Sequence, residues 1–167
     1  MKLYFDIDTQ IDFLFPAGAL YVPGAERLIP RIAQLNREAA VVISTADAHA
    51  EDDPEFKQWP PHCVAGTAGQ TKPCALLREK RVVIPNRAVD LAIEGADQII
   101  LEKQHFSLFT NPNSEALIRS LGPDECIVYG VVTEICVKQC VDGLRERGYK
   151  VRVVQDAVQS LSGQTLI

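Results

Sequence analysis

The chain has 167 residues, 47% of them apolar and 23% charged, which reads as a single domain over residues 1–167 with a substantial core. A net charge of −5 without a Lys/Arg cluster argues against a nucleic-acid partner, and no apolar run approaches membrane-spanning length. Five cysteines, an odd number without framework spacing, read as reduced thiols of a cytoplasmic protein.

The N-terminus, Met1-Lys2-Leu3-Tyr4-Phe5-Asp6, is charged by its sixth residue and reads as the start of a strand rather than a signal peptide. That strand is expected over residues 3–7, with Asp8-Thr9-Gln10-Ile11-Asp12-Phe13 at its C-terminal end. A loop with Pro16, Gly18, Pro23 and Gly24 leads to a helix expected over 25–37, whose apolar face is Leu28, Ile29, Ile32 and Leu35. Pro30 is tolerated near its first turn. Residues 40–44 read as a second strand. A long irregular stretch, 45–73, follows, and loops of that length in a domain are usually functional or disordered. Residues 75–80 read as a helical turn and 81–84 as a short extended piece. Residues 97–102 read as a central strand with Lys103 at its end, and 113–121 as a helix for which Ser114 is one cap.

The run from Asp124 to Val137 organises the rest. Its first half is apolar and β-branched without polar alternation, which suits a strand buried on both faces of a parallel sheet. Gly130 marks a turn, and Thr133 is placed to cap a helix. In that helix Cys136, Val137, Cys140, Val141 and Leu144 recur at three- and four-residue steps until Gly148. Residues 151–154 read as a fifth strand. Strands alternating with helices imply an α/β protein, a three-layer α/β/α domain around a mostly parallel sheet.

Three polar residues fall just past strand ends: Asp8, Lys103 and Cys136. In a parallel sheet those ends share one edge, where ligands bind. Asp8 can take a thiol proton, Lys103 can hold the carboxylate and stabilise a thiolate, and Cys136 can attack an electrophilic carbon. The first turn of a helix favours a thiolate through its unpaired N–H groups and dipole. The plainer readings are a small apolar helix residue for Cys136, a loop cap for Asp8 and a solvated strand end for Lys103. Cys140 takes the plain reading. The long loop holds Asp47, His49 and His62, a carboxylate and two imidazoles that suit Zn²⁺, Fe²⁺ or Mn²⁺ with open positions; the alternative is a loop held by hydrogen bonds. Cys63 adjoins His62, and adjacent residues seldom face one ion. His105 reads as a surface or pocket-edge residue.

Taken together, D-x-Q-x-D-F at residues 8–13, Lys103 followed by Phe106 and Phe109, and G-V-V-T-E-I-C-V at 130–137 resemble the isochorismatase-like cysteine hydrolase superfamily. Asp47-x-His49 with W-P-x-H-C-V-x-G-T at 59–67 resembles its nicotinamidase/pyrazinamidase branch. The resemblance runs from residue 1 to about Val158. It implies an isochorismatase-like, Rossmann-like fold with Asp8, Lys103 and Cys136 as catalytic triad. It implies Asp47, His49 and His62 as ligands of a divalent metal, zinc first and iron or manganese next, with Glu55 at the place where some relatives supply a further ligand. Phe13 and Trp59 would sandwich a flat ring, with Val131 and Phe106 also against it. A cis peptide between Val131 and Val132 would aim the N–H of Val132, with that of Cys136, at an oxyanion.

The implied reaction is hydrolysis of nicotinamide, or of another small amide or ureido compound, and the implied assembly is a homo-oligomer. A non-enzymatic binding protein of the same fold is the third reading, for which a nucleophile has no use. Lys103-Gln104-His105-Phe106-Ser107 replaces the usual Tyr-Ser-containing segment of the branch, and Glu134-Ile135 is not the commonest pairing before the cysteine. Relatives continue through another helix and strand after residues matching 156–158, so the C-terminal unit here is expected to be short or truncated.

Overall fold

The computed structural model describes residues 1–163 and 165. Six strands, β1 (Lys2–Ile7), β2 (Val42–Asp47), β3 (Arg81–Ile84), β4 (Gln98–Lys103), β5 (Glu125–Val131) and β6 (Val151–Gln159), form one sheet in the order β3-β4-β2-β1-β5-β6. Every pairing is parallel, so the mostly parallel sheet expected from sequence is parallel throughout. The helices are α1 (Ile11–Leu14), α2 (Ile29–Glu38), α3 (Ser114–Leu121) and α4 (Lys138–Glu146).

Side chains alternate across each strand, and the alternation builds two cores. Leu3, Phe5 and Ile7 of β1 join Cys126 and Val128 of β5 beneath α3 and α4, through Leu117, Ile118, Val141 and Leu144. On the opposite face Ile127, Tyr129 and Val131 of β5 meet Ile32, Ala33 and Leu35 of α2. With apolar side chains on both faces, β5 lacks polar alternation, as buried parallel strands do; β1 turns Leu3, Phe5 and Ile7 to one face and buries Asp6 on the other. This is one α/β domain in three layers.

Several boundaries differ from the sequence pattern for identifiable reasons. The helix expected over 25–37 divides into a 3₁₀ turn, Ala25–Leu28, and α2, with Pro30 in its first turn; proline lacks the N–H that a continuous helix would need there. The turn expected over 75–80 is a 3₁₀ turn at Cys74–Leu76. The piece at 81–84 is an edge strand of the sheet. β2 runs to Asp47 rather than stopping at Ser44. β6 continues to Gln159, past a register shift opposite Val128 and Gly130. Among the described residues no helix is long and apolar enough to cross a membrane.

Candidate active site

The register of the sheet decides which side chains meet. Asp47 at the end of β2 and Lys103 at the end of β4 are direct partners, and Ile7 and Gly130 are partners on β1 and β5. Asp8 therefore leaves β1 beside Gly130, while Asp47 and Lys103 leave the two strands on its other side. Gly130 has φ +116°, and a Cβ there would lie 2.2 Å from the carbonyl oxygen of Ile7. Only glycine lets β5 pass so close to the strand end that delivers Asp8. Asp8 itself takes the left-handed region at φ +49°, which aspartate tolerates better than most residues.

Lys103, although 1% exposed, keeps its charge company. Its Nζ lies 2.8 Å from Oδ2 of Asp8 and 2.5 Å from Oδ1 of Asp47, and it donates to Sγ of Cys136 at 3.8 Å. Burial alone would lower the Lys103 pKa; Asp47 and Asp8 outweigh it and raise it well above the ordinary value. For Asp8 burial wins over the attraction of Lys103, and its pKa is raised. For Asp47 the lysine and the imidazole of His49 overcome burial and lower the pKa to about 2. Thr45 locks Asp8 from the neighbouring strand: its hydroxyl accepts from the Asp8 N–H at 3.1 Å and donates to Oδ1 at 2.6 Å.

Cys136 is buried with the others, and one expectation about it changes. The segment Thr133–Val137 is a π-helical turn capped at Val132 with no side-chain cap, so Thr133 does not cap it. π turns of this kind recur at functional sites. Burial pushes the Cys136 thiol well above its usual range, Lys103 pulls it down, and Asp8 and Asp47 push it up again. The net direction is upward, against the thiolate that helix position alone favours. The Val131–Val132 peptide is cis.

The loop cluster converges next to this triad. Oxygen of Asp47 and ring nitrogens of His49 and His62 lie within 4.8 Å of one another. Each imidazole has one nitrogen already engaged. Nδ1 of His49 is 2.9 Å from Oδ2 of Asp53, and Nδ1 of His62 is 2.7 Å from the carbonyl of Pro60. That leaves Nε2 for other chemistry, and Nε2 of His49 is buried without a hydrogen-bond partner. Buried polar atoms are normally satisfied, so this donor set fits a divalent cation, with Asp53 orienting His49 as carboxylates behind metal-binding imidazoles do. Between Asp47 and Asp53 the His49 pKa rises to about 9, against the opposing effect of burial. Oε1 of Glu55 is 3.6 Å from Nε2 of His62, and Glu55 also groups with His49 and Asp53. Phe56 packs edge-on against both imidazoles.

A cleft opens over these groups. Asp8 and Cys136 line it, Asp47 reaches it from the end of β2, and His62 and Glu55 reach it from the loop. Phe13, Trp59, Val131 and Phe106 line it, as do Val132 and Ile135 beside the thiol. His105 is exposed, and Cys63 is turned away, its buried sulfur 4.0 Å from the carbonyl of Gly69.

Sequence reading missed the residues that hold these parts in place. Gln10 grips the end of β2 at two points, accepting from the N–H of Asp47 at 2.8 Å and donating to its carbonyl at 2.9 Å. Asp12 accepts from the N–H of Ala19 at 3.0 Å and from that of Cys63 at 2.7 Å, anchoring the residue next to His62. Both belong to the D-x-Q-x-D-F string, whose strict spacing was the available signal. Thr45 and Asp53 carried none. Leu20, Val22 and Leu161 also line the cleft and were not foreseen.

The family model of the isochorismatase domain matches residues 4–165. The nicotinamidase/pyrazinamidase of Mycobacterium tuberculosis is 28% identical over 181 residues, spanning 100% of this chain and 91% of that protein. Among solved structures, pyrazinamidase/nicotinamidase from Streptococcus mutans superposes with a TM-score of 0.81 at 28% identity, over 96% of this chain and 88% of the other. The pyrazinamidase of Pyrococcus horikoshii, solved in complex with zinc, superposes with a TM-score of 0.78 at 27% identity, over 96% and 87%.

Proposed function

The chain belongs to the isochorismatase domain family, and from that membership we propose that it is a metal-dependent nicotinamidase, splitting nicotinamide and water into nicotinate and ammonia through a thioester on Cys136. One observation carries the reading. The Asp8–Lys103–Cys136 cluster and the Asp47–His49–His62 cluster open onto a single apolar-walled cleft. A thiol with a base at one end and a cation site at the other suits a flat ring bearing a carboxamide.

In this mechanism Asp8 takes the thiol proton of Cys136, and the sulfur lone pair attacks the carboxamide carbon. The carbonyl π pair moves onto oxygen, which accepts hydrogen bonds from the N–H groups of Val132 and Cys136. Collapse breaks the C–N bond, and Asp8 returns its proton to nitrogen, which departs as ammonia. Water then adds to the thioester carbon while Asp8 takes one of its protons. The second collapse breaks the C–S bond, releases the acid, and the proton on Asp8 goes back to sulfur. Lys103 keeps its charge beside Asp8 throughout and offsets the negative charge that develops on sulfur. The raised pKa of Asp8 suits it to carry a proton in both directions.

Asp47, His49 and His62, with Glu55 as a further donor, are the residues that would hold the metal, zinc first and iron or manganese as alternatives. Such an ion supplies Lewis acidity, which orients a ring nitrogen and makes water more acidic. Fixing the ring at both ends matters because orientation alone supplies roughly 7–11 kcal/mol of barrier reduction in favourable cases.

Ammonia release from nicotinamide by zinc-loaded protein tests the proposal. Cys136→Ala is expected to lower the rate by at least about 10³-fold, with the circular dichroism spectrum and zinc content unchanged. Turnover by that variant near the wild-type rate would exclude the thioester. The exposed Phe106 ring, on a wall whose sequence departs from the nicotinamidase pattern, favours a second reading: another small amide or ureido compound. Kinetics on a panel of carboxamides, with and without chelator, separates the two.

A further inference from the structure

Beyond Gln159 the chain leaves the sheet, and its backbone N–H groups need partners elsewhere. Two of them find the same one. The N–H groups of Leu161 and Ser162 both donate to Oε1 of Glu134, each at 2.8 Å. Glu134 stands two residues before Cys136 on the π turn that carries the thiol. Hydrogen bonds to an ionised acceptor are the stronger kind, and a carboxylate shared by two successive amides fixes the direction of the backbone between them. That direction points Leu161 at the cleft: its side chain lines the same cavity as Cys136, Phe106 and Trp59. Leu161 is nevertheless 42% exposed. An isobutyl group left this open beside an aromatic-lined cleft is apolar area that the face or edge of a bound ring removes from water.

We propose that Leu161 is a specificity-determining wall of the substrate cleft, matched to a flat, unsubstituted ring, and that Glu134 is the positioning residue that straps it there. The proposal rests on the hydrolase reading only in taking the cleft over Cys136 as the place where the acyl group is bound. It couples the pocket rim to the nucleophile's own turn: one side chain fixes where the ring stops relative to the sulfur. Such a wall acts on binding more than on bond breaking, so its loss is felt in KM. The same loss admits substituted rings that the strap excludes.

Two measurements test it on Leu161→Ala, Glu134→Ala and Glu134→Gln. In the first, steady-state kinetics on nicotinamide, Leu161→Ala raises KM by about 10-fold with kcat within about threefold. Glu134→Ala reproduces that split, and Glu134→Gln, which keeps an acceptor oxygen, falls between it and wild type. An unchanged KM in Leu161→Ala, or a loss in kcat alone in Glu134→Ala, overturns the assignment of that residue. The second does not depend on which amide is turned over. In a Cys74→Ser background, alkylation of Cys136 is followed by peptide mass spectrometry with iodoacetamide and with the bulkier N-ethylmaleimide. Leu161→Ala and Glu134→Ala raise the maleimide-to-acetamide rate ratio several-fold over wild type, whereas an unchanged ratio in both, with thermal melts showing folded protein, overturns the strap. If nicotinamide is not turned over by any form and the ratio still rises, the substrate reading fails and the strap stands.

Discussion

Lys103 shares one positive charge between two carboxylates and sits under a thiol, so each neighbour's protonation depends on the others. The Asp8 pKa is raised by burial and held back by Lys103 and by the hydrogen bond from Thr45. In the proposed mechanism Asp8 is a general base that works only when ionised, so activity is expected to be lost as pH falls through this raised pKa. Thr45→Val removes the hydrogen bond that favours the carboxylate, and the acid limb of the kcat/KM profile is expected to move to higher pH; a profile identical to wild type would show that Asp8 is not the titrating base. Asp53 acts one step further out, on Nδ1 of His49. Asp53→Ala should weaken zinc binding by roughly 10–100-fold, read by competition with a chromophoric chelator, while alkylation of Cys136 keeps its wild-type rate. The split between these residues and the triad explains what could be read from the chain. Asp8, Lys103 and Cys136 each follow an apolar run, and strand ends are visible as changes in hydropathy. Thr45 and Asp53 act through individual side-chain hydrogen bonds, those of Thr45 reaching 37 residues along the sequence, and leave no periodic mark. The electrostatic setting of the Cys136 thiol was only half legible for a related reason. Helix position is local and legible, whereas burial against two carboxylates exists only after folding.

At the scale of elements, β5 was legible because its residues are apolar on both faces, β1 and β4 because Leu3, Phe5, Ile7 and Ile99, Leu101 make one unbroken apolar face each, and α2 and α4 because their apolar positions repeat with helical period. What the pattern could not show was how elements end. β2 runs on to Asp47, which pairs with Lys103 of β4 and is also held through its backbone by Gln10, 37 residues away. The turn before α4 is wound as a π turn, placing Val132 and Ile135 with Cys136 on the cleft. The contact of β5 with β1 is the most exacting of these junctions. Gly130→Ala sets a methyl group against the Ile7 backbone at a φ that alanine avoids. It is expected to cost at least about 1–3 kcal/mol and to displace Asp8. Denaturant titration and turnover should fall together, and a variant with wild-type stability and activity would contradict the packing described.

The whole molecule presents a sheet buried on both faces and a single edge at which its strands end in chemistry. Asp12 and Gln10 tie the loop over residues 48–73 to that edge, and in the proposed function a cation held by Asp47, His49 and His62 would add a third tie. Removing the metal should therefore cost stability as well as activity. A ligand present at a hundredfold its Kd stabilises by about 2.7 kcal/mol, and for a domain of this size each kcal/mol moves Tm by roughly 2–4 °C. Chelation is expected to lower Tm by about 5–10 °C, and His62→Ala to abolish the difference between chelated and zinc-loaded protein. Asp47 and Lys103 end β2 and β4, and Asp8 and Cys136 come after β1 and β5; these are the four inner strands of the sheet. No two of those strands that are neighbours in space are joined by a short hairpin, and parallel pairing of distant segments is slow to form. A chain emerging during synthesis holds three of the four groups by residue 103 yet lacks the sulfur until β5 has docked. In the proposed mechanism the thiol thus meets its base only after the fold has closed around both, and a half-made copy would have no means of attacking amides.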